Sequence, residues 1–233
     1  MATHSITAQI MDKRVNESLV ARHEQIVLRW IAMRLPARCT PDRLTMLGIC
    51  GAVVVLAGYA LTYVSSWGFW LANAGLILHW FGDSLDGTVA RLRRIERPRY
   101  GFYLDQVSDT VGNLLIGFGV GLCPLTSMPL ALLILAVFHM LSIQVFVRTI
   151  VDREFTVAVG RFGPTELRLG IFGMNILLLE FGAPQLPIAF VQATWIDALM
   201  AVTIVGMLAL LGWQMWGHLR RLAQEDPARP AAR

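Results

Sequence analysis

"DSLDGTVARLRRIERPRYGFYLDQVSDT", residues 83–110, sets two aspartates on each side of a basic loop, in a chain otherwise rich in Leu, Val, Ile, Ala and Gly. The runs that lead into and out of it, residues 67–89 and 102–122, are apolar and near the ~20 residues that a bilayer crossing needs. The stretch therefore reads as the turn of a helical hairpin, with carboxylates near the loop end of both helices. What holds four carboxylates in so apolar a setting is the question that organises the rest of the chain.

Composition points the same way. Of 233 residues, 55% are hydrophobic and 15% charged, and the mean hydropathy is +0.56, too apolar for a soluble domain and suited to a polytopic membrane protein. The net charge of +4 and the pI of about 9.3 do not argue for nucleic acid, because the basic residues sit between apolar runs, where anionic membrane lipids are the natural partners. Cys39, Cys50 and Cys123 lie far apart with no C-x-x-C spacing, so they read as reduced packing residues and not as a zinc site or disulfide framework.

Six apolar runs follow one another at residues 44–64, 67–89, 102–122, 128–150, 167–183 and 195–216, the fifth being the shortest. The expected fold is an all-α integral membrane protein with six transmembrane helices and an N-terminal amphipathic interfacial helix. That first helix is expected over residues 17–35, where Leu19, Val20, Ile26, Val27, Trp30 and Ile31 recur at helical spacing opposite Arg22, Gln25 and Arg29. It either lies on the membrane surface or packs on its own protein. Residues 1–16 read as a flexible N-terminus with no removable signal, residues 40–220 as the six-helix domain, and residues 221–233 as a flexible cytoplasmic tail.

Orientation follows from the arginines. The links around Ser65, Pro124 and Pro184 hold no Lys or Arg, whereas the N-terminus, the 91–99 loop, the 148–168 loop and the C-terminus hold them all. By the positive-inside rule both termini and the opening hairpin face the cytoplasm. With no organelle-targeting segment evident, the expected location is a bacterial inner membrane.

Asp83, Asp86, Gly87 and Ala90 fall at i, i+3, i+4 and i+7 on one helix face, and Asp105 and Asp109 share a face of the next helix. Asp83 is about 12 Å of helical rise below Arg91. A lone ionised Asp near a bilayer centre costs roughly 2.5–3.5 kcal/mol even on the gentler scale. Four facing carboxylates therefore need positive charge, and Arg93, Arg94, Arg97 and Arg99 sit in the loop, where they reach water. Hard oxygen donors without His or Cys select Mg²⁺, Mn²⁺ or Ca²⁺. Four carboxylates suffice for two ions, and two divalent ions about 3.5–4 Å apart suit in-line displacement at phosphorus. Gly87 and Ala90 leave either room for a phosphate-bearing substrate or a surface for close helix packing.

The pattern Asp83-x2-Asp86-Gly87-x2-Ala90-Arg91-x9-Gly101-x3-Asp105-x3-Asp109 resembles the signature of the CDP-alcohol phosphotransferase family, also called CDP-alcohol phosphatidyltransferases. The six helices and the amphipathic N-terminal helix fit as well. The resemblance implies that Asp83, Asp86, Asp105 and Asp109 ligate Mg²⁺ or Mn²⁺, two ions in all, and that Asp109 is the general base toward the acceptor hydroxyl. It implies that Gly87, Ala90, Arg91 and Gly101, with Asp86, accommodate the CDP donor. Thr45 joins them through "TPDRLTMLG", residues 40–48, which is similar to the family's segment before its first membrane helix except that Asp42 stands where Asn is usual. An ionised Asp accepts hydrogen bonds but donates none. Read by itself, the same segment is a helix start, with Thr40 as cap and Pro41 at the first position.

The implied activity is a membrane phosphotransferase of phospholipid synthesis, a transferase of substituted phosphate groups (EC 2.7.8 type). An acceptor alcohol or diacylglycerol attacks the β-phosphorus of a CDP-linked lipid or CDP-alcohol and CMP leaves. The family also implies a homodimer. For the acceptor, Arg148, Arg153, Arg161 and Arg168 in the 148–168 loop either bind a phosphorylated alcohol or anchor the loop at the cytoplasmic face. Residues 163–166, Gly-Pro-Thr-Glu, are similar to a segment of the choline and ethanolamine phosphotransferase branch, where Glu166 would touch the acceptor or cap its helix. Among the polar residues in apolar runs (Asn73, His79, Asn113, His139, Gln144, Asn175), interhelical hydrogen bonding is the expected use, and His79, one turn from Asp83, is a candidate partner of the carboxylates. A divalent-cation or proton-coupled membrane transporter would also place carboxylates between helices, but near the midplane and on broken helices. A noncatalytic membrane scaffold would have no reason for every ligand position.

Overall fold

The computed structural model describes residues 21–152, 164–186 and 193–226. Its described residues form seven helices: α1 (Ala21–Ala32), α2 (Pro41–Leu61), α3 (Trp67–Leu92), α4 (Pro98–Leu122), α5 (Met128–Asp152), α6 (Pro164–Phe181) and α7 (Trp195–Glu225). The one extended pairing among them is a single antiparallel bridge between Gln185 and Thr194. Helices α2 to α7 overlie the six apolar runs. Three of them, α2, α5 and α7, are long and apolar enough to cross a membrane, while α3 and α4 carry the aspartates and α6 has 18 residues.

The helix ends follow from local chemistry. Thr40 caps α2, its hydroxyl accepting the Arg43 N–H at 3.4 Å, with Pro41 at the first position as expected. Thr194 and Asp197 form a reciprocal capping box at the start of α7, with N–H···O distances of 3.2 and 2.9 Å. At its other end α7 runs on to Glu225, past the expected limit at 216 and into the tail expected from 221. Residues 218–225 are mostly good helix formers, and Pro227 is the first proline beyond them. The turn between α3 and α4 is only residues 93–97, shorter than expected, with Arg94 in the left-handed region at φ 56° and Pro98 opening α4.

The tightest contact joins α2 and α3 backbone to backbone. A Cβ on Gly51 would overlap the main chain of His79, and one on Gly82 the main chain of Gly48; on Gly75 it would lie 2.6 Å from the Val55 nitrogen. Glycine at these positions lets two helices approach more closely than any side chain permits, the usual way for helices to pack where lipid offers no hydrophobic driving force. Beside this seam, Ala52, Val55, Tyr59, Phe69, Ala72 and Leu76 are buried. Asn73 and Asn175 bond between helices as expected: the Tyr59 hydroxyl donates to Asn175 Oδ1 at 2.8 Å, and Asn175 Nδ2 donates to Asn73 Oδ1 at 2.7 Å, whereas the buried Gln144 side chain has no partner among the described residues. These bonds tie α2, α6 and α3 together. Of the cysteines, Cys123 is buried in the core as a packing residue, whereas Cys50 is exposed.

Helix α1 begins inside the expected 17–35 span, whose first residues lie outside the described ones, and it ends at Ala32. Of its two expected roles, packing on its own protein is the one seen. Leu28 and Ala32 pack with Leu44, Leu85 and Val89, while Ile26, Val27 and Trp30 point away at 65%, 47% and 54% exposure.

Expected outcome: Gly51→Ala forces α2 and α3 apart and costs about 1–3 kcal/mol, the usual range for overpacking. Gly87→Ala, whose new methyl meets only the end of the Arg91 side chain at 3.3 Å, leaves stability nearly unchanged. Thermal unfolding of both variants in the same detergent, followed by tryptophan fluorescence, checks the contrast.

Candidate active site

The α3–α4 hairpin brings the carboxylates together at its loop end. Asp83 from α3 and Asp105 and Asp109 from α4 each offer an oxygen within 4.8 Å of the others, all three half-buried. The i, i+4 spacing of Asp105 and Asp109 puts both on the α4 face that meets Asp83. Asp86 is held apart from this trio. It is buried, and its Oδ2 accepts the Thr45 hydroxyl of α2 at 2.6 Å. The expected set of four thus divides into three clustered carboxylates and one fixed by α2.

The charge opposite them does not come from the loop between α3 and α4. Arg168 of α6 donates to Asp83 Oδ2 at 2.7 Å, with the pair's side chains only 11% and 21% exposed, and the same nitrogen lies 3.3 Å from His79 Nε2. His79 Nδ1 is in turn 2.9 Å from the Gly48 carbonyl. The imidazole is therefore a partner of the carboxylates through Arg168. Gly112 makes room for it, since a Cβ there would come within 2.7 Å of His79 Cε1. Sequence reading had Arg168 among the loop arginines; nothing in spacing marks it as the one that turns into the cluster.

Arg94, Arg97 and Arg99 are exposed, as expected of loop arginines, but two of the loop arginines also bind their own chain. Arg93 donates to the carbonyls of Leu35 and Cys39 at 2.8 Å and of Pro36 at 3.0 Å, closing the link between α1 and α2. Arg97 pairs with Asp42 and lies over the Tyr100 ring at 3.9 Å. Asp42, at the position where the family pattern has Asn, thus serves as an acceptor for a guanidinium.

The small residues lie where the motif implies. A Cβ on Gly101 would meet nothing within 4 Å, and Gly87 adjoins only Arg91, so among the described residues neither is a packing glycine. Thr45 is fixed by Asp86, and Ala90 and Arg91 sit on the last turns of α3. Of the acceptor candidates, Arg148 lies near the end of α5. Arg153 and Arg161 fall outside the described residues, as does the side chain of Glu166. Sequence reading missed Glu24 of α1, whose carboxylate accepts from Trp80 and Ser84 of α3 and from Thr165 of α6.

Comparison with known proteins agrees with the motif. Residues 38–216 match the family model for CDP-alcohol phosphatidyltransferase. The chain belongs to this family. It is also 30% identical over 105 residues to cholinephosphotransferase 1 of Danio rerio, an alignment that covers 42% of this chain and 27% of that relative. The matched segment is thus about a quarter of the relative's length.

Three hard-oxygen donors this close, without nitrogen or sulfur, fit the divalent cation that the family uses. Asp105→Asn and Asp109→Asn are each expected to weaken Mn²⁺ binding by about tenfold or more. Asp152→Asn, at a carboxylate paired with Arg221 at 2.6 Å, leaves it unchanged. The free-Mn²⁺ electron paramagnetic resonance signal, titrated with purified protein, measures this; an equal loss in Asp152→Asn would mean that the ion associates with acidic surface in general.

Proposed function

We propose that the protein is a six-helix membrane phosphotransferase of phospholipid synthesis, which transfers a phospho-alcohol group from a CDP-linked donor to an acceptor hydroxyl and releases CMP. The observation that carries this reading is the trio Asp83, Asp105 and Asp109 at motif spacing, beside the unpacked positions Gly87 and Gly101. Arginine placement supports a cytoplasmic site and cytoplasmic termini. The exposed apolar face of α1 suits the lipid headgroup boundary, and the family supports a homodimer.

In this reading Asp83, Asp105 and Asp109, with Asp86, hold Mg²⁺ or Mn²⁺, two ions in all. When bound, such ions supply positive charge that offsets the charge developing on the pyrophosphate of the donor. The chain's own residues do the rest. The Thr45 hydroxyl and the Gly87 N–H each hold one oxygen of the Asp86 carboxylate, so that the group keeps one orientation. Gly87, Ala90 and Gly101 leave space for the cytidine nucleotide against the hairpin, and Arg91 beside Gly87 offers its guanidinium to the phosphates. Asp109 accepts the acceptor's hydroxyl proton as the new O–P bond forms and the bond to the CMP oxygen breaks. Arg168 steadies Asp83 from the side of α6.

Two features favour a CDP-amino alcohol donor with diacylglycerol as acceptor over CDP-diacylglycerol with a phosphorylated alcohol. One is the alignment with a cholinephosphotransferase; the other is the Gly-Pro-Thr-Glu segment at residues 163–166. The transporter reading gains no support, because the clustered carboxylates stand near the end of a continuous helical hairpin and not at breaks in it.

The test is CMP release by protein in nanodiscs with Mg²⁺ or Mn²⁺. CDP-choline and CDP-ethanolamine with diacylglycerol are run beside CDP-diacylglycerol with a panel of polar alcohols and their phosphates. CMP is expected in the first arm, with Asp105→Asn and Asp109→Asn each lowering the rate by about a hundredfold or more. CMP in the second arm alone would reverse the donor assignment, and its absence from both arms would remove the transferase reading.

A further inference from the structure

Glu24 lies in α1, outside the motif, yet it joins three helices at the edge of the carboxylate cluster. Its Oε1 accepts the Trp80 indole N–H at 2.7 Å and the Ser84 hydroxyl at 3.2 Å, both from α3, and Ser84 is the residue next to Asp83. The Thr165 hydroxyl lies 3.0 and 3.2 Å from the two carboxylate oxygens. Thr165 is in the first turn of α6, three residues before Arg168, so one helical turn separates the group that Glu24 holds from the guanidinium that meets Asp83. An apolar side chain at position 24 would leave the Trp80, Ser84 and Thr165 donors without this acceptor. A carboxylate with several donors converging on it has a fixed orientation, which is what a device for setting the distance between two helices requires.

We propose that Glu24 is a positioning residue: it clamps the first turn of α6 against α3 and so sets Arg168 on Asp83, making the N-terminal helix a working part of the site. The role in catalysis rests on the phosphotransferase reading above; the clamp itself does not. Glu24 acts through Thr165 and Arg168 and touches none of the three clustered carboxylates.

Two measurements separate these levels. For the clamp, spin labels at Val27→Cys of α1 and Leu169→Cys of α6, both exposed positions, are introduced after Cys39, Cys50 and Cys123 are replaced by Ala. Double electron–electron resonance is expected to give a narrow distance distribution in the parent protein and a distribution at least about twice as broad after Glu24→Ala, with Glu24→Gln between them. For the reaction, Glu24→Ala is expected to lower kcat for CMP release by about tenfold to a hundredfold with KM for the CDP donor nearly unchanged, as small misplacements do. Glu24→Gln recovers part of the loss, and adding Thr165→Val to Glu24→Ala lowers kcat no further. An unchanged distance distribution overturns the clamp whatever the activity. A broadened distribution with unchanged kcat overturns the catalytic role while leaving the transferase reading intact. If no CMP is released by the parent protein, the distance measurement alone decides the clamp. A loss of kcat matched by loss of folded protein in both Glu24 variants, or a full further loss from Thr165→Val, also overturns the proposal.

Discussion

Three carboxylates within 4.8 Å of one another, near the end of two apolar helices, repel each other, and the helices that surround the hairpin are arranged against that repulsion. Arg168 brings a positive charge from a third helix onto Asp83. Thr45 brings a neutral donor from a fourth onto Asp86, which keeps that carboxylate buried without adding a charge of either sign. The division of labour has a physical sense. A carboxylate meant to bind a cation needs open lone pairs, and one meant to orient it gains from a hydrogen bond on its other oxygen.

The α2–α3 seam is what makes this possible. Thr45 reaches Asp86, and His79 reaches the Gly48 carbonyl, only because Gly48, Gly51, Gly75 and Gly82 let the two backbones touch. On the opposite side the glycines have the reverse meaning. A Cβ on Gly87 of α3 would meet the Arg91 side chain first, and one on Gly101 of α4 nothing within 4 Å. The same residue type serves packing on one face and space on the other, and position on the helix decides which.

Much of this was legible in the chain. The apolar runs gave helices α2 to α6 and the start of α7 to within a few residues, because length and hydropathy are properties of a single segment. The clustering of Asp83, Asp105 and Asp109 was legible too, since i, i+4 spacing on two helices joined by a short turn leaves few other arrangements. Arg168 and Glu24 were not. Each acts on residues far away in sequence, Arg168 on Asp83 and Glu24 on Thr165, and a lone charged residue in an amphipathic helix carries no periodic signal that distinguishes a partner in the fold from a solvated side chain. The glycine seam was half visible: small residues in membrane helices indicate close packing, but which glycines face a neighbour depends on the relative rotation of α2 and α3, which only the packed pair fixes.

The arginines of the α3–α4 turn show how tertiary demand overrides a segment's own logic. Taken alone, "RLRRIERPRY" is a solvated basic loop, and basic residues at the cytoplasmic face need no further reason. Yet Arg93 spends its donors on the carbonyls of Leu35, Pro36 and Cys39, which lie in a link with no helical partners of its own. Arg97 meets Asp42 at the start of α2. The first contact ties the α3–α4 turn to the segment that joins α1 to α2, the second ties it to the start of α2, and Glu24 ties α1 back to α3 and α6. The hairpin that carries the carboxylates is thus held at its seam by backbone contact and at its mouth by side chains from the N-terminal segment.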